Sequence, residues 1–190
     1  MQGARPYIPV MPQRAIVTAD DLERLTPPNM CSELVRGVMV VREPPGYRHG
    51  RVAARLAKFL MDHVDQRSLG EVLAAETGFK LATNPDTVRA PDVAFIRRNR
   101  LPDPPPAGFA ELGPDLVVEV LSPGDRPGEV LAKVADWLSA GSALVWVVDP
   151  ARRRARVYRA DGGEALVAED GVLEGEDVLP GFACPLAALF

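Results

Sequence analysis

The sequence predicts a mixed α/β domain, and three observations carry that expectation. Asp115-Leu-Val-Val-Glu-Val-Leu-Ser and Ala143-Leu-Val-Trp-Val-Val-Asp-Pro are almost continuous apolar runs of strand length, the mark of strands buried on both faces. Between them, residues 128–140 place Val130, Val134, Trp137 and Leu138 on one helical stripe, with Gly141 as the stop. Strand, helix, strand in that order is a crossover unit, so 115–122 and 143–149 are expected to lie parallel.

The remaining elements follow in chain order. Residues 1–17 carry Pro6, Pro9 and Pro12 and read as an extended arm, leaving 18–190 as one domain. Thr18 is the expected N-cap of a short helix, with Asp21 three positions on, and Pro27-Pro28 ends it. Residues 33–42 read as a hairpin turned at Arg36-Gly37, with the β-branched run Val38–Val41 as its second strand. Residues 49–64 form a helix whose buried stripe is Val52, Leu56, Phe59, Leu60 and His63. Two strands, 71–81 and 88–96, flank the turn Asn84-Pro85-Asp86 and are expected as antiparallel neighbours. The proline-rich stretch 99–114 is a surface excursion. Beyond the crossover, Ala155–Arg159 and Glu164–Val167 make a hairpin over Asp161-Gly-Gly, and the tail 171–190 packs back on the body.

Composition narrows the function. The net charge of −4 excludes a basic nucleic-acid coat. Of 22 basic residues only Lys58, Lys80 and Lys133 are lysines, which excludes a lysine-rich tail. Arginine stays charged whereas lysine can be tuned, so each lysine merits a separate question. Cys31 and Cys184 lack metal spacing and read as two free thiols of a cytoplasmic protein. No window has the apolar length of a membrane span, and the first residues do not read as a signal peptide.

Two carboxylates stand out. Asp92 sits in the middle of strand 88–96, directly after Pro91, and Glu119 lies among Val and Leu in 115–122. A charge in a buried strand is costly unless it is paired, hydrogen-bonded or bound to a cation. Glu119 either reaches water at a strand end or joins Asp92 in an oxygen site suited to Mg²⁺ or Mn²⁺. At 100° per residue, Lys133 falls about 60° from Val130, on the flank of the buried stripe. From there its ammonium either snorkels to solvent or extends toward a strand end. Lys58 and Lys80 read as surface charges.

In order, Arg89-Ala-Pro-Asp-Val-Ala-Phe, Pro114-Asp-Leu-Val-Val-Glu-Val-Leu-Ser-Pro-Gly-Asp, Lys133, Gly141 and Val145-Trp-Val-Val-Asp-Pro resemble the Uma-two family of restriction-endonuclease-like proteins, within the PD-(D/E)xK nuclease superfamily. Glu33-Leu-Val-Arg-Gly, His49-Gly50 and Leu179-Pro-Gly-Phe extend the resemblance over about residues 18–190. It implies a restriction-endonuclease-like α/β core, a mixed central sheet flanked by helices with added hairpins. It also implies Mg²⁺- or Mn²⁺-dependent hydrolysis of DNA phosphodiesters and no organic cofactor. Carried over by position, Asp92 and Glu119 are the metal ligands and catalytic carboxylates. Val120-Leu121 stands where the superfamily places x-Lys, and Lys133 on the following helix is the matching replacement. Glu33 and His49 fit the pattern as secondary site residues, or as a hairpin surface charge and a helix-start residue. Ser122 serves a phosphate or caps the 128–140 helix. Arg97, Arg98 and Arg100 supply positive charge for DNA. Arg152, Arg153, Arg154 and Arg156 read as a solvated turn. A homodimer would provide two sites for cutting two strands. The alternative is a catalytically weak or inactive nuclease fold that binds DNA or protein within a mobile-element or defence system, for which the missing strand lysine and the acidic net charge speak.

Overall fold

The computed structural model describes residues 17–26, 30–75 and 77–190, so the arm at 1–17 (apart from Val17) and the Pro27-Pro28 stop lie outside the described residues. A capping box starts the first helix, α1 (Ala19–Leu25): Thr18 accepts from the Asp21 N–H while Asp21 reaches back to Thr18. Strands β1 (Cys31–Val35) and β2 (Val38–Arg42) form the expected hairpin. Its two turn residues, Arg36 at φ 49° and Gly37 at φ 75°, adopt the left-handed backbone that a tight two-residue connection needs.

Helix α2 (Tyr47–Arg67) is longer than its apolar stripe suggested, and the stripe itself is rotated. Val52, Leu56, Ala57, Leu60 and Val64 are buried, while Phe59 is 36% exposed. His63 sits at the helix edge, where its ring meets Phe182 edge-on and Nε2 faces the Pro180 carbonyl. The stripe continues at i+4 steps, so Phe59, out of that phase, turns outward and His63 stays at the edge of the core.

Each of the two expected strands in 71–96 is broken into two. The pieces are β3 (Gly70–Ala74), β4 (Phe79–Ala82), β5 (Thr87–Arg89) and β6 (Val93–Arg97). The antiparallel pairing holds, but β3 pairs β6 in one sheet and β4 pairs β5 in another. The break in the second strand falls at Ala90-Pro91-Asp92. Proline has no N–H for a ladder, and the Ala90 N–H leaves the sheet to meet the Glu33 carboxylate. Asp92 therefore stands in a bend at the head of β6, not in mid-strand.

The central sheet adds β7 (Leu116–Val120), β8 (Leu144–Asp149), β9 (Arg154–Arg159) and β10 (Glu164–Val167), in the order β10-β9-β8-β7-β6-β3. Only β7 and β8 run parallel, linked by α3 (Pro127–Ser139), and the helix ends at Gly141 with φ 95°. On one face, α2 and the C-terminal residues pack on Phe95, Val118, Trp146 and Val148. On the other, Val134 and Trp137 of α3 pack on Val117, Val145 and Val147. A smaller sheet, β2-β1-β5-β4, carries α1 over Leu34 and Val88.

The proline-rich excursion returns to the body, where Ala110 bridges to Phe79 and accepts from the Lys80 N–H. The tail folds back as predicted: β11 (Val172–Glu174) pairs β12 (Ala183–Pro185), and Leu173, Phe182, Cys184, Leu186 and Leu189 are buried. Among the described residues no helix is long and apolar enough to cross a membrane.

Candidate active site

The alternation of β7 decides where Glu119 points. Leu116, Val118 and Val120 face α2, so Val117 and Glu119 face α3. Glu119 does not reach water at a strand end; the residue is only 8% exposed. Both of its oxygens are held by α3. Trp137 donates through Nε1 to Oε1 at 2.8 Å, and Lys133 Nζ lies 2.7 Å from Oε2. Lys133 and Trp137 are one helical turn apart, so a single face of α3 supplies both contacts.

The ammonium of Lys133 is a junction. Besides Glu119 it meets Glu33 Oε1 at 3.1 Å and the Ala90 carbonyl at 3.2 Å. Glu33 is not a surface charge of the hairpin but a buried residue, and its other oxygen lies 3.0 Å from Arg89 Nη1. Arg89, itself buried, donates twice more to Asp136 Oδ2, at 3.0 and 2.6 Å. The smaller sheet, the central sheet and α3 are thus tied by one chain of charges, Asp136–Arg89–Glu33–Lys133–Glu119.

Asp92 is fixed separately. Its Oδ2 accepts from the Val120 N–H at 2.6 Å, and its Oδ1 lies 3.1 Å from Nε2 of His49. His49, in the first turn of α2, is both a helix-start residue and a site contact. Asp92 thus bonds the residue next to Glu119, and both carboxylates line one cleft.

Electrostatics follow burial. Loss of water, with Asp92 and Glu33 nearby, pushes Glu119 up to about 7 against the pull of Lys133. Burial opposes the charge on Lys133, but Glu119 and Glu33 outweigh it and hold the ammonium well above the ordinary lysine value. Burial likewise raises Glu33, yet Lys133, Arg89 and the Ala90 N–H bring it below the usual carboxylate range.

These groups line a cleft of about 840 Å³ between the smaller sheet and the end of β7. Asp92 and Glu119 offer hard oxygen donors, and among the described residues no third His, Cys, Asp or Glu completes a metal cage with them. Two carboxylates in an open cleft fit Mg²⁺ or Mn²⁺, since Mg²⁺ is usually held by one or two carboxylates with water and substrate oxygens filling the rest.

Ser122 also lines the cleft, but it does not cap α3. Its N–H bonds Asp125 Oδ2 at 2.7 Å, and α3 begins at Pro127 after Arg126 with no side-chain cap. Arg97, Arg98 and Arg100 lie at the far end of β6 from Asp92. There Arg100 Nη1 is 2.9 Å from Asp115, Arg97 donates to the Asp177 carbonyl and Arg98 to the Ser68 carbonyl. Arg152, Arg153 and Arg156 pair with Asp149, Glu169 and Glu164. Lys58 pairs with Asp62 and Lys80 with Glu111.

Sequence reasoning had not singled out Arg89, Asp136 and Trp137. A signal was present for Arg89, because a guanidinium inside a strand between Val88 and Ala90 demands a buried partner as much as Glu119 does. Asp136 and Trp137 follow Lys133 at i+3 and i+4, but only the tertiary contact shows that they work with it.

A family model for Uma2, described as "Putative restriction endonuclease", matches residues 19–187. The fold is similar to the crystal structure of a protein from Anabaena variabilis ATCC 29413 described as a putative nuclease belonging to DUF820. The TM-score is 0.80 at 19% identity, covering 92% of this chain and 97% of that one, and at that identity the likeness speaks for the fold. No curated protein matches.

Proposed function

The chain belongs to the Uma2 family, and from that premise we propose that it is a metal-dependent nuclease hydrolysing DNA phosphodiester bonds. The observation that carries the reading is the convergence of Asp92, Glu119 and Lys133 on one cleft. Asp92 and Glu119 would hold the Mg²⁺ or Mn²⁺. When bound, such an ion polarises a phosphoryl oxygen and lowers the pKa of a coordinated water.

The chain's own residues do the rest. Val120 N–H and His49 orient Asp92, and Trp137 orients Glu119. Lys133 is the cation next to the carboxylate pair, where its ammonium opposes negative charge as it develops on the phosphate. Glu33 and Arg89 set the position of that ammonium.

One observation favours a second reading, a nuclease fold that binds without cutting. The three N–H donors of Lys133 already face Glu119, Glu33 and the Ala90 carbonyl, so catalysis requires it to exchange one partner for substrate. Incubating purified protein with plasmid and single-stranded DNA, with and without Mg²⁺ or Mn²⁺, separates the two. Cleavage that needs the metal and is lost in Asp92→Ala and Lys133→Ala supports the nuclease. Binding without cleavage, unchanged in Asp92→Ala, supports the second reading. Cutting by Asp92→Ala at the wild-type rate would mean that another site does the chemistry.

A further inference from the structure

The cleft presents an electrostatic problem for a polyanion. Glu33, Glu43, Asp92, Glu119, Asp125 and Glu129 all line it. Against them stand Lys133 and Arg42, with His49 on Asp92. Lys133 is committed to buried carboxylates, and Arg89 behind the wall is committed to Glu33 and Asp136. A phosphate backbone in this cleft must therefore meet a particular guanidinium, because the wall provides no diffuse positive field.

Arg42 has the properties that role needs. It ends β2, on the wall opposite the β7 end, and its side chain is 38% exposed. Its guanidinium reaches across the cleft to Asp125 Oδ1 at 3.2 Å and, more loosely, to Glu129 Oε2 at 3.8 Å. Its Nε–H is buried, so the two terminal nitrogens that hold Asp125 and Glu129 are the donors it presents to the cleft. Asp125 lies in the loop that continues directly from the Glu119 strand, so the pair spans the cleft beside the carboxylates. Glu129 is half-exposed and has a second cation in Arg126, so it loses little when Arg42 leaves.

We infer that Arg42 is a substrate-binding residue that grips a backbone phosphate flanking the scissile one, exchanging Asp125 and Glu129 for phosphate oxygens as the polynucleotide enters. The two non-bridging oxygens of one backbone phosphate can take both arms of a guanidinium, so a single phosphate replaces the two single contacts to Asp125 and Glu129. In the absence of nucleic acid the two carboxylates hold the arginine across the cleft. This inference rests on the nuclease reading and gives that site its contact with the DNA backbone.

The test measures binding of a fluorescently labelled DNA duplex by anisotropy, in EDTA and in Ca²⁺, as a function of salt. Arg42→Ala should weaken binding at least about tenfold, the smallest change expected from losing a charge-assisted hydrogen bond. It should also lower the slope of log affinity against log salt by about one phosphate contact. Arg42→Lys should keep most of the salt slope while losing affinity, because it retains the charge without the fork. Glu129→Gln should tighten binding by freeing Arg42. An arginine that only braced the cleft would give the opposite sign for Glu129→Gln, since losing either end of the brace would then loosen the cleft and weaken binding, and that result would overturn the inference. If the wild type binds and all three variants bind like it, the inference fails while the nuclease reading stands. If the wild type neither binds nor cuts DNA under any of these conditions, the nuclease reading fails and this inference falls with it.

Discussion

Glu33→Gln removes one negative charge and almost no volume from the network behind the cleft. In the wild type, Oε2 lies 3.0 Å from Arg89 Nη1, and Oε1 accepts from the Ala90 N–H at 3.0 Å and meets Lys133 at 3.1 Å. A glutamine can place its oxygen on only one of these sides. On the other side its NH₂ must face a cation or an N–H, which are donors already. Arg89 keeps Asp136 and Lys133 keeps Glu119, so neither cation is stranded. The cost is therefore set at the lower end of the range for breaking a buried pair, about 3 kcal/mol. For a chain of this size that is a fall in Tm of roughly 6–12 °C.

The pH dependence has a definite sign. Burial raises Glu33, but Lys133, Arg89 and the Ala90 N–H outweigh it and depress the folded-state value. A depressed carboxylate contributes stability that is full above its unfolded pKa, about 4.3, and is lost as pH falls through its folded value. The gap between wild type and Glu33→Gln should thus be widest at neutral pH and close in acid. Thermal melts followed by circular dichroism at pH 7 and at stepwise lower pH measure it. A neutral-pH gap below about 0.5 kcal/mol, the scatter of ordinary surface substitutions, or one that widens in acid, would refute the reasoning.

Four further outcomes are expected. Lys133→Ala should lower the metal-dependent cleavage rate by about 10²–10³, the usual loss for one charge stabiliser, measured by plasmid nicking under single-turnover conditions. Trp137→Phe keeps the edge-on packing against Phe79 but strips the donor from Glu119 Oε1; urea unfolding should show a loss of about 1–3 kcal/mol. The Cys184 thiol is fully buried and pushed up to about 11 by that burial, so a thiol reagent at pH 8 should label it only at the rate of unfolding. Gly70→Ala should separate β3 from β6, because a Cβ there would stand 1.9 Å from the Ile96 carbonyl oxygen; a melt should show destabilisation of more than about 2 kcal/mol.

The crossover at the centre of the fold was legible because its signals are local. The apolar runs of β7 and β8 and the stripe of α3 each lie within a few residues, and Gly141 marks the helix end. The same was true of the Arg36-Gly37 turn. The stripe of α2 was misread by a fraction of a turn, since Phe59 and His63 are apolar or aromatic but lie outside the i+4 series that meets the sheet. Two strands read as continuous are each broken. What ends the second is an N–H taken by a side chain far away in the chain, Ala90 by Glu33.

By itself the sequence determined which groups must find partners. A carboxylate inside Leu-Val-Val-Glu-Val-Leu cannot stay alone, and helical phase put Lys133 on the flank from which it could answer. Tertiary structure decided which partners they find. It brought Glu33 from β1, Arg89 from β5 and Asp136 from α3 into one chain of charges, and it set His49 on Asp92. It also removed Arg97, Arg98 and Arg100 from the cleft by placing them at the other end of β6. The physical reason is range. Burial and periodicity are written in neighbouring residues, whereas the pairing of buried charges depends on distances between segments tens of residues apart, which only the packed sheets and helices fix.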